Sequence, residues 1–504
     1  MILMGEFLLQ SLLLDNHNKY GSKIAIIDDL GDFTYSQIYY SAVKVASYIQ
    51  SEPSTSRHIG ILFNNNTQFV IAFFGVLMAG KVVVPFPTNL SNTELDAYIE
   101  KCDVITIISE YECPDNYHNN DLNWLDINKI LLTEFTSDIS EEMTTISDES
   151  VAIMLPTSGS TGSPKIVMLS HQSVYENAFA HQLGLGIGDD DILLVTMPVS
   201  FSSTITTQII ASFINRATIY LARLPLLSRR ALNILKTQKI TCLALVPTFL
   251  YQLIITLQNH ESLEQIVGDI KIVTISGASL SEEVFIKAKS LFKNSDVIQT
   301  YGLTEASPRV TMMERGDKRL SCGKPVNKIK LKIIDINSGR PQTCGGVGEV
   351  FVNGPNLMLG YYKDEKLTKM TVIDGWLRTG DIGYIDSYGN LIISGRIKNI
   401  IIIGGINISP EEIEQVIIRE TTFINSAVIG INDEVYGEVP VAIIEGVPTD
   451  VEQEKKRILK ACKKELSAYK VPKEVFFIPE FPLTRTGKIN RVELNNIINK
   501  VIER

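Results

Sequence analysis

With 504 residues, of which 45% are hydrophobic, the chain is too long for one core, and its length predicts about two to four domains or subdomains. A net charge of −10 argues against a general nucleic-acid-binding protein, because such a protein needs many basic residues to neutralise phosphates. The six cysteines are scattered without a C-x-x-C pair, so we expect neither a zinc site nor a disulfide scaffold and predict a reducing, cytoplasmic location. We predict no membrane span, since no apolar run reaches about 18 residues.

Strand and helix patterns alternate through the first part of the chain. Residues 1–14 predict an amphipathic helix rather than a secretory leader, because Glu6 stands where a basic residue is expected. The patterns that follow predict strands at 23–27, 33–35, 58–63 and 81–85 and helices at 36–49 and 68–78. Such alternation predicts parallel sheets covered by helices.

A segment rich in glycine and hydroxyl residues, LPTSGSTGSPK at 155–165, separates two apolar runs. Glycines let a backbone approach an anion, hydroxyl groups donate hydrogen bonds and a lysine adds positive charge. The segment is not a Walker loop, because the G-x-x-x-x-G-K-[ST] spacing is absent. The residues alone leave two interpretations open, a phosphate-binding loop and a polar hairpin turn.

Apolar strands that end in proline, glycine or hydroxyl residues follow at 191–197, 240–246, 271–275 and 297–300. In open α/β sheets, ligands bind beyond such carboxyl ends. Segment 111–150 is expected to be a surface connection without chemistry. Beyond residue 320, short β-rich pieces predict a smaller subdomain, and a final α+β unit follows. We therefore predict an N-terminal domain at 1–397 and a C-terminal domain at 398–504.

Six motifs occur in an order and spacing that resemble the adenylate-forming superfamily, which includes acyl- and aryl-CoA synthetases, nonribosomal-peptide adenylation domains and luciferases. They are LPTSGSTGSPK at 155–165, SGASL at 276–280, QTYGLTE at 299–305, WLRTGD at 376–381, GRIKNIIIIGGINISPEEIE at 395–414 and LTRTGKINR at 483–491. The likeness covers nearly the whole chain. It implies an α/β fold: a large N-terminal domain of parallel, helix-covered sheets with a small β-rich subdomain, then a small mobile α+β C-terminal domain.

The resemblance also implies an AMP-forming acid–thiol ligase that uses ATP and Mg²⁺. A small carboxylic acid would attack the α-phosphate and release pyrophosphate, and the thiol of CoA or of a phosphopantetheinyl carrier protein would then displace AMP. Two alternatives stay open. One is an enzyme that loads an amino or imino acid onto a carrier protein, and the other is a non-catalytic relative that binds an acyl group or adenylate. Because the chain ends soon after the last motif, we expect the thiol acceptor to be a separate molecule.

The resemblance assigns roles in catalysis residue by residue. Lys488 would bridge the substrate carboxylate and the α-phosphate, and Thr304 would donate to that phosphate. Glu305 would hold Mg²⁺, since hard cations prefer carboxylates. The residues that would hold the β- and γ-phosphates are Thr157, Ser158, Gly159, Ser160, Thr161, Gly162 and Lys165.

The remaining nucleotide contacts follow from the same motifs. Tyr301 would offer its ring to adenine, and Gly277 and Ala278 would allow close approach on the other side. Asp381 would accept hydrogen bonds from both ribose hydroxyls, and Arg396 matches an arginine that contacts phosphate or ribose. Gly302 belongs to the same nucleotide-binding set.

The motifs further imply a hinge at Lys398, about which the C-terminal domain would rotate between adenylation and thioester formation. Gly404 and Gly405 would line the tunnel for a pantetheine thiol, although they also suit a simple strand-end turn. Amino-acid-activating members usually carry an aspartate after the aromatic residue at Phe201, and Ser202 stands there instead, which makes a free α-amino acid a less expected substrate. The residues expected to form a mostly apolar pocket are Val199, Phe201, Ser202, Ser203, Ile205, Val246, Ala278 and Thr300.

Overall fold

The structure is a computed structural model, and it describes residues 7–52, 56–113, 122–133, 146–157, 164–258, 260–278, 280–403, 406–421, 423, 425–433, 436–483 and 489–502. Within these ranges, no helix has the length and apolar character needed to cross a membrane.

The strands and helices are numbered in chain order. The strands are β1 (Ile24–Asp28), β2 (Gly31–Thr34), β3 (His58–Leu62), β4 (Val82–Phe86), β5 (Thr106–Ser109), β6 (Asn123–Asp126), β7 (Val151–Thr157), β8 (Lys165–Ser170), β9 (Ile192–Val195), β10 (Thr218–Leu221), β11 (Cys242–Leu245), β12 (Ile272–Ile275), β13 (Asp296–Gly302), β14 (Arg309–Met312), β15 (Lys324–Pro325), β16 (Lys330–Ile334), β17 (Gly348–Asn353), β18 (Gly360–Tyr361), β19 (Val372–Ile373), β20 (Trp376–Ile385), β21 (Leu391–Arg396), β22 (Ile401–Ile403), β23 (Ile406–Ile408), β24 (Ser426–Asp433), β25 (Gly437–Glu445) and β26 (Glu474–Ile478). The helices are α1 (Leu9–Tyr20), α2 (Tyr35–Ser51), α3 (Thr67–Met78), α4 (Asn92–Cys102), α5 (Ile127–Leu132), α6 (His171–Leu185), α7 (Ala211–Asn215), α8 (Ser228–Thr237), α9 (Pro247–Leu257), α10 (Leu263–Val267), α11 (Glu282–Leu291), α12 (Glu365–Thr371), α13 (Pro410–Glu420), α14 (Val451–Glu465) and α15 (Arg491–Ile502). A π-helix spans Thr204–Ile210, and 3₁₀ turns span Thr304–Ala306, Ile397–Asn399 and Ala468–Lys470.

The largest sheet has nine strands in the order β15-β14-β13-β12-β11-β9-β10-β1-β2. Its six central strands, from β13 to β1, pair in parallel, whereas β14, β15 and β2 are antiparallel. Because the central strands run in one direction, the carboxyl ends of β9, β11, β12 and β13 lie next to each other. Any ligand of this sheet is expected at that edge.

A second sheet has seven strands in the order β18-β8-β7-β4-β3-β5-β6. Helix α3 packs between the two sheets, with contacts to β3 and β4 on one side and to β1 on the other. Every residue of α3 except Gln68 is buried, which explains why its sequence is apolar on all faces. The helix begins where Asn66 accepts a hydrogen bond from the backbone N–H of Phe69 at 3.1 Å.

Two smaller sheets complete the molecule. One has the order β16-β17-β20-β19, with β21 on β20, and the other has the order β23-β22-β25-β24, with β26 on β25. The last sheet and its helices enclose their own hydrophobic clusters, in which every member lies beyond residue 400. The predicted fold class, a large α/β N-terminal part followed by a small α+β domain, is therefore confirmed. The boundary at 397/398 stays a prediction.

Segment 111–150 departs from its predicted role as a plain connection. Strand β6 extends the seven-stranded sheet through parallel pairing with β5, and α5 follows it at once. The apolar pair Trp124-Leu125 is too short to give a periodic signal, so the strand was not predicted. The edge strands also make both large sheets mixed rather than purely parallel.

Candidate functional site

The carboxyl ends of four adjacent strands carry most of the predicted site residues. Val199 to Ser203 follow β9, Val246 follows β11, and Gly277 and Ala278 follow β12. Tyr301 and Gly302 end β13, and the 3₁₀ turn Thr304–Ala306 comes directly after it. The topology thus brings together residues that are separated by more than 100 positions in the sequence.

Two glycines at this edge occupy positions that disfavour a side chain. Gly277 has φ of +92°, a conformation that residues with a Cβ rarely adopt. At Gly302, a Cβ would collide with the backbone of Pro308, whose carbonyl accepts a hydrogen bond from the N–H of Leu303 at 3.0 Å. The chain therefore turns tightly here and presents Thr304 and Glu305 beyond the strand end.

Asp381 is the centre of a buried polar group. Its carboxylate accepts a hydrogen bond from the Tyr301 hydroxyl at 2.6 Å and forms an ion pair with Arg396 Nε at 2.6 Å. The pairing of β20 with β21 places Asp381 opposite Arg396. Burial and the charge of Asp381 raise the pKa of Tyr301 well above its usual value, so the phenol stays a neutral donor. Tyr301, predicted to face adenine, thus also positions the carboxylate predicted to hold the ribose.

Glu305 is held by a residue that sequence reasoning missed. The hydroxyl of Tyr361 donates to Glu305 Oε1 at 2.9 Å, and burial followed by the charge of Glu305 raises the pKa of this tyrosine. The Lys165 ammonium lies 5.3 Å from the centre of the Tyr361 ring, within the range of a cation–π contact. Tyr361 is in the short strand β18, which pairs with β8 near the base of the predicted phosphate loop. No motif marked it, because its role depends on a strand pairing across almost 200 residues.

The predicted phosphate loop is the connection of a β-hairpin. Thr157 ends β7 and pairs with Lys165 at the start of β8, and the Thr157 hydroxyl donates to the Lys165 carbonyl at 3.3 Å. Ser158, Gly159, Ser160, Thr161 and Gly162 lie outside the described residues. The pairing of β7 with β8 agrees with the hairpin interpretation, and phosphate binding by this segment stays a prediction.

The predicted pocket residues differ in exposure. Val199, Ser202 and Thr300 are buried, whereas Phe201, Ser203 and Val246 are partly exposed. The Ser202 and Thr304 hydroxyls lie 3.3 Å apart, so the pocket reaches the turn predicted to contact the α-phosphate.

The backbone at this end of β9 is held by a buried side chain, Asn65, which was not predicted. Asn65 accepts from the N–H of Val199 at 3.0 Å and donates to the carbonyl of Met197 at 2.9 Å. Ile205, the remaining pocket candidate after β9, is buried within the π-helix.

Residues predicted for the C-terminal domain are placed only in part. Lys398 lies in the 3₁₀ turn after β21, and partial burial and the charge of Arg396 lower its pKa. Gly404, Gly405 and Lys488 lie outside the described residues. On either side of residues 484–488, Leu483 and Ile489 form an antiparallel bridge.

The start of α15, just beyond that bridge, is firmly anchored. Arg491 Nη2 donates to Glu414 Oε1 at 2.7 Å, and Arg491 Nη1 donates to the carbonyl of Val428 at 2.7 Å. The segment that carries Lys488 therefore ends on a fixed ion pair within the C-terminal domain.

Two family models match the chain. The model described as AMP-binding enzyme matches residues 13–362, and the model described as AMP-binding enzyme C-terminal domain matches residues 412–488. Together they follow the predicted order of a large domain and a small one.

Known proteins of similar sequence and fold are acyl-CoA ligases by name. A 2-succinylbenzoate–CoA ligase from Bacillus cytotoxicus is 28% identical over 493 residues, which cover 95% of this chain and 96% of the relative. The o-succinylbenzoate CoA synthetase MenE from Bacillus subtilis with its acyl-adenylate intermediate has a TM-score of 0.85 at 23% identity, with 96% of this chain and 97% of that chain covered. The same enzyme with ATP and a magnesium ion has a TM-score of 0.84 at 24% identity, covering 96% and 99%.

The first family model spans more than half of the chain, and the fold agrees over nearly its full length. The chain therefore belongs to the AMP-binding enzymes, the adenylate-forming superfamily that its six motifs predicted.

Proposed function

We propose that the protein is an ATP-dependent, AMP-forming ligase that joins a carboxylic acid to a thiol. A carboxylate oxygen of the acid attacks the α-phosphorus of ATP, and pyrophosphate leaves. The thiolate sulfur then attacks the carbonyl carbon of the acyl-adenylate, and AMP leaves. The observation that carries the proposal is the hydrogen bond between Tyr301 and Asp381 at the carboxyl end of β13, directly before the Thr304–Glu305 turn.

Each described residue in this arrangement suits its proposed task. Asp381 accepts hydrogen bonds from the ribose hydroxyls and is oriented by Tyr301. Thr304 donates to the α-phosphate, and the hairpin between Thr157 and Lys165 holds the terminal phosphates. Phosphoryl transfer requires mainly such positioning and charge neutralisation.

Magnesium is proposed as the cofactor that accompanies ATP. Glu305 offers a carboxylate, and the Tyr361 hydrogen bond engages only Oε1, which leaves Oε2 for a cation. A single carboxylate is a suitable protein contribution, because Mg²⁺ usually keeps several waters and binds substrate phosphates directly. When bound, the ion neutralises phosphate charge, and Tyr361 fixes the direction of the carboxylate that holds it.

The proposed thiol acceptor is CoA, because the relatives named above are CoA ligases at 28% and 23% identity. A phosphopantetheinyl carrier protein is the alternative acceptor.

All six cysteines lie in the described part of the chain and none forms a disulfide, which supports a reducing compartment, the cytoplasm.

A non-catalytic adenylate-binding protein is the competing hypothesis. Such a relative would be expected to lose Glu305, Asp381 or Lys488, and the sequence retains all three.

The proposed domain arrangement is an N-terminal domain at 1–397 and a C-terminal domain at 398–504. Lys398 is the proposed hinge, and Gly404 and Gly405 are proposed to lie beside the thiol channel.

Acid-dependent exchange of pyrophosphate into ATP tests the proposal, with a panel of aliphatic, aromatic, hydroxy and amino acids. We expect exchange with one class of acid, and Lys488→Ala should reduce it by about 100-fold or more, because it removes the cation placed where charge develops. Lys500→Ala, an exposed change in α15, is the matched control and should leave the rate unchanged. Exchange that persists in Lys488→Ala would contradict the role of this lysine, and absence of exchange with every acid would favour the binding protein.

A further inference from the structure

A small cavity lies between the nine-stranded sheet and the helices packed on it, with a volume of about 10 Å³. Its apolar wall comes from strands β9, β11 and β12 and from α6. Its polar lining residues are His181, Thr207, Gln208, Thr274, Ser276 and Arg309. Ser276, the first residue of the SGASL motif, lines the cavity, and its other lining residues lie outside the six motifs.

Arg309 is a buried cation in this lining and is only 3% exposed. Its Nε donates to His181 Nδ1 at 3.3 Å, and the described residues give its guanidinium no ion pair. The cavity lining contains no acidic side chain. Burial lowers the pKa of Arg309 to about 9, which still leaves it charged at neutral pH. A buried charge without a counter-charge is strongly unfavourable, so this site is suited to an anion.

Gln208 supports the same conclusion independently. Its side chain is 2% exposed, and within the described chain neither its amide nitrogen nor its amide oxygen has a hydrogen-bond partner. Gln208 also lies in the π-helix Thr204–Ile210, an element that is found frequently at functional sites. A second unsatisfied polar group therefore faces the cavity that Arg309 lines.

We propose that this cavity is a subsite for a second carboxylate of the substrate and that Arg309 determines specificity for it. The inference rests on the proposed function and names its substrate class, an acid with a carboxylate at the end remote from the reacting one. Arg309 acts in recognition and takes no part in the chemical step.

The position of the cavity suits the remote end of an acid. Ser276 lines it and directly precedes Gly277, and the Thr207 hydroxyl donates to the Ser203 carbonyl at 2.7 Å, one turn earlier. Arg309 itself pairs with Gly302 across β13 and β14. The cavity thus lies directly behind the strand ends at which the reacting carboxyl group would sit.

Carboxylate is the anion that this site fits best. It is small and planar, and a guanidinium binds it through two parallel hydrogen bonds, for which the terminal nitrogens of Arg309 are available. The present volume is room for about one water molecule, so a carboxylate enters when flexible lining side chains change rotamer. Met197 and Gln208 are unbranched and line the cavity, and no hydrogen bond of its side chain restrains Gln208 in the described structure.

Matched pairs of acids test the inference in the pyrophosphate-exchange assay. Each pair consists of a dicarboxylic acid and the same molecule with its remote carboxylate replaced by a carboxamide. We expect the wild type to prefer the diacid by about 10- to 100-fold in kcat/KM, the range for a charge-assisted hydrogen bond. Arg309→Met should abolish this preference by slowing the diacid alone, and Arg309→Lys should restore part of it.

Two further variants separate recognition from folding. Arg315→Met, on the same segment but half-exposed and paired with Asp296, should keep the wild-type preference. If Arg309→Met does not fold, Gln208→Leu supplies the test. This variant should reduce the preference for the diacid and leave kcat/KM for the half-amide unchanged. Equal kcat/KM for diacid and half-amide in the wild type would overturn the inference, even with exchange intact.

Direct binding distinguishes this inference from the proposed function. Calorimetric titration of the diacid into the wild type should give binding that Arg309→Met loses and Arg315→Met keeps. Binding with this pattern but without any pyrophosphate exchange would overturn the proposed ligase activity and retain the proposed carboxylate subsite. Pyrophosphate exchange could instead be fast with monocarboxylic acids and equally fast in the wild type and in Arg309→Met. That result would retain the proposed ligase activity and overturn the proposed carboxylate subsite.

Discussion

At the scale of single residues, Asp381 is held in a fixed orientation by its neighbours. The carboxylate is almost completely buried, and its two oxygens are already engaged by Tyr301 and Arg396. Arg396 is 40% exposed, so we expect it to be the partner that moves when the proposed ribose contact forms. Each carboxylate oxygen has a further lone pair, and the Tyr301 hydrogen bond can persist in the complex.

Asp381→Asn is predicted to weaken ATP binding by about 10- to 100-fold, since hydrogen bonds to a charged acceptor contribute about 1.5–3 kcal/mol. Calorimetric titration with ATP measures the effect. Asp335→Asn, a change at a partly exposed turn residue, serves as the control and should bind ATP as the wild type does. An unchanged affinity in Asp381→Asn would show that this carboxylate does not hold the nucleotide.

The sequence predicted several residues that the structure brings together, but it did not predict their hydrogen-bond partners. Motif positions suggested Asp381, Tyr301 and Glu305, because each lies in a short local pattern. Tyr361 and Arg309 escaped notice because what they contact is set by pairing between distant strands. A charged residue at the start of an apolar strand, as in Arg309-Val310-Thr311-Met312, was the only local signal.

At the scale of elements, the strands and helices predicted between residues 23 and 85 agree with the structure within one or two residues, whereas the helix predicted at 1–14 is found at Leu9–Tyr20. The signal is local: alternation gives a strand, and a 3.6-residue period gives a helix. The elements without a prediction include helices α4, α6, α8, α9 and α11. They also include β6, which is too short, and the π-helix at Thr204–Ile210, whose run of threonine and isoleucine has no distinctive period.

Helix α1 is attached to α6 through a histidine, and this contact depends on pH. His171 is 2% exposed, and its Nδ1 accepts from the N–H of Leu9 at 3.2 Å. Burial lowers the pKa of His171 to about 4, while nearby Asp148 opposes the shift. The neutral ring is thus a structural acceptor rather than a catalytic base.

The lowered pKa predicts loss of stability in acid. Between pH 6.5 and about 4 the unfolded chain takes up a proton that the native ring does not, so stability is full above pH 6.5 and falls as the pH decreases. From pH 7 to pH 5 the contribution is about 2 kcal/mol. Urea unfolding of the wild type and of His171→Asn at both pH values measures it. The variant should lose about 2 kcal/mol less than the wild type, and equal losses would contradict the prediction.

At the scale of the whole molecule, the part of the chain beyond residue 400 has hydrophobic clusters of its own. Its hydrophobic clusters contain no residue of the larger part. Among the described residues that join the two parts is Ser409, whose hydroxyl donates to the Ser394 carbonyl at 2.6 Å. Separate hydrophobic clusters are a requirement of the proposed rotation about Lys398.

Lys398→Pro is predicted to separate the two half-reactions. Proline fixes φ and should hinder rotation at the hinge, so pyrophosphate exchange should persist while CoA-dependent thioester formation falls by about 100-fold. Lys398→Ala leaves the backbone free and is the matched control, which should retain both activities. Parallel loss of both steps in Lys398→Pro would contradict the hinge.

The order of domains could be predicted from the sequence of motifs, whereas the order of strands could not. Strand β1 pairs with β10, for example Ile26 with Ile219, and β18 pairs with β8. Periodicity reports which face of a strand is buried but gives no information about its neighbour in the sheet.

The pairing of β1 with β10 has a consequence for protein synthesis. At roughly 5–20 residues per second, a ribosome needs roughly 10–40 s to proceed from the first of these strands to the second. During that interval β2 can cover one edge of β1, but the other edge of this apolar strand has no partner. Because an unpaired strand edge favours aggregation, we expect residues 24–28 of the nascent chain to carry this risk until β10 has been synthesised.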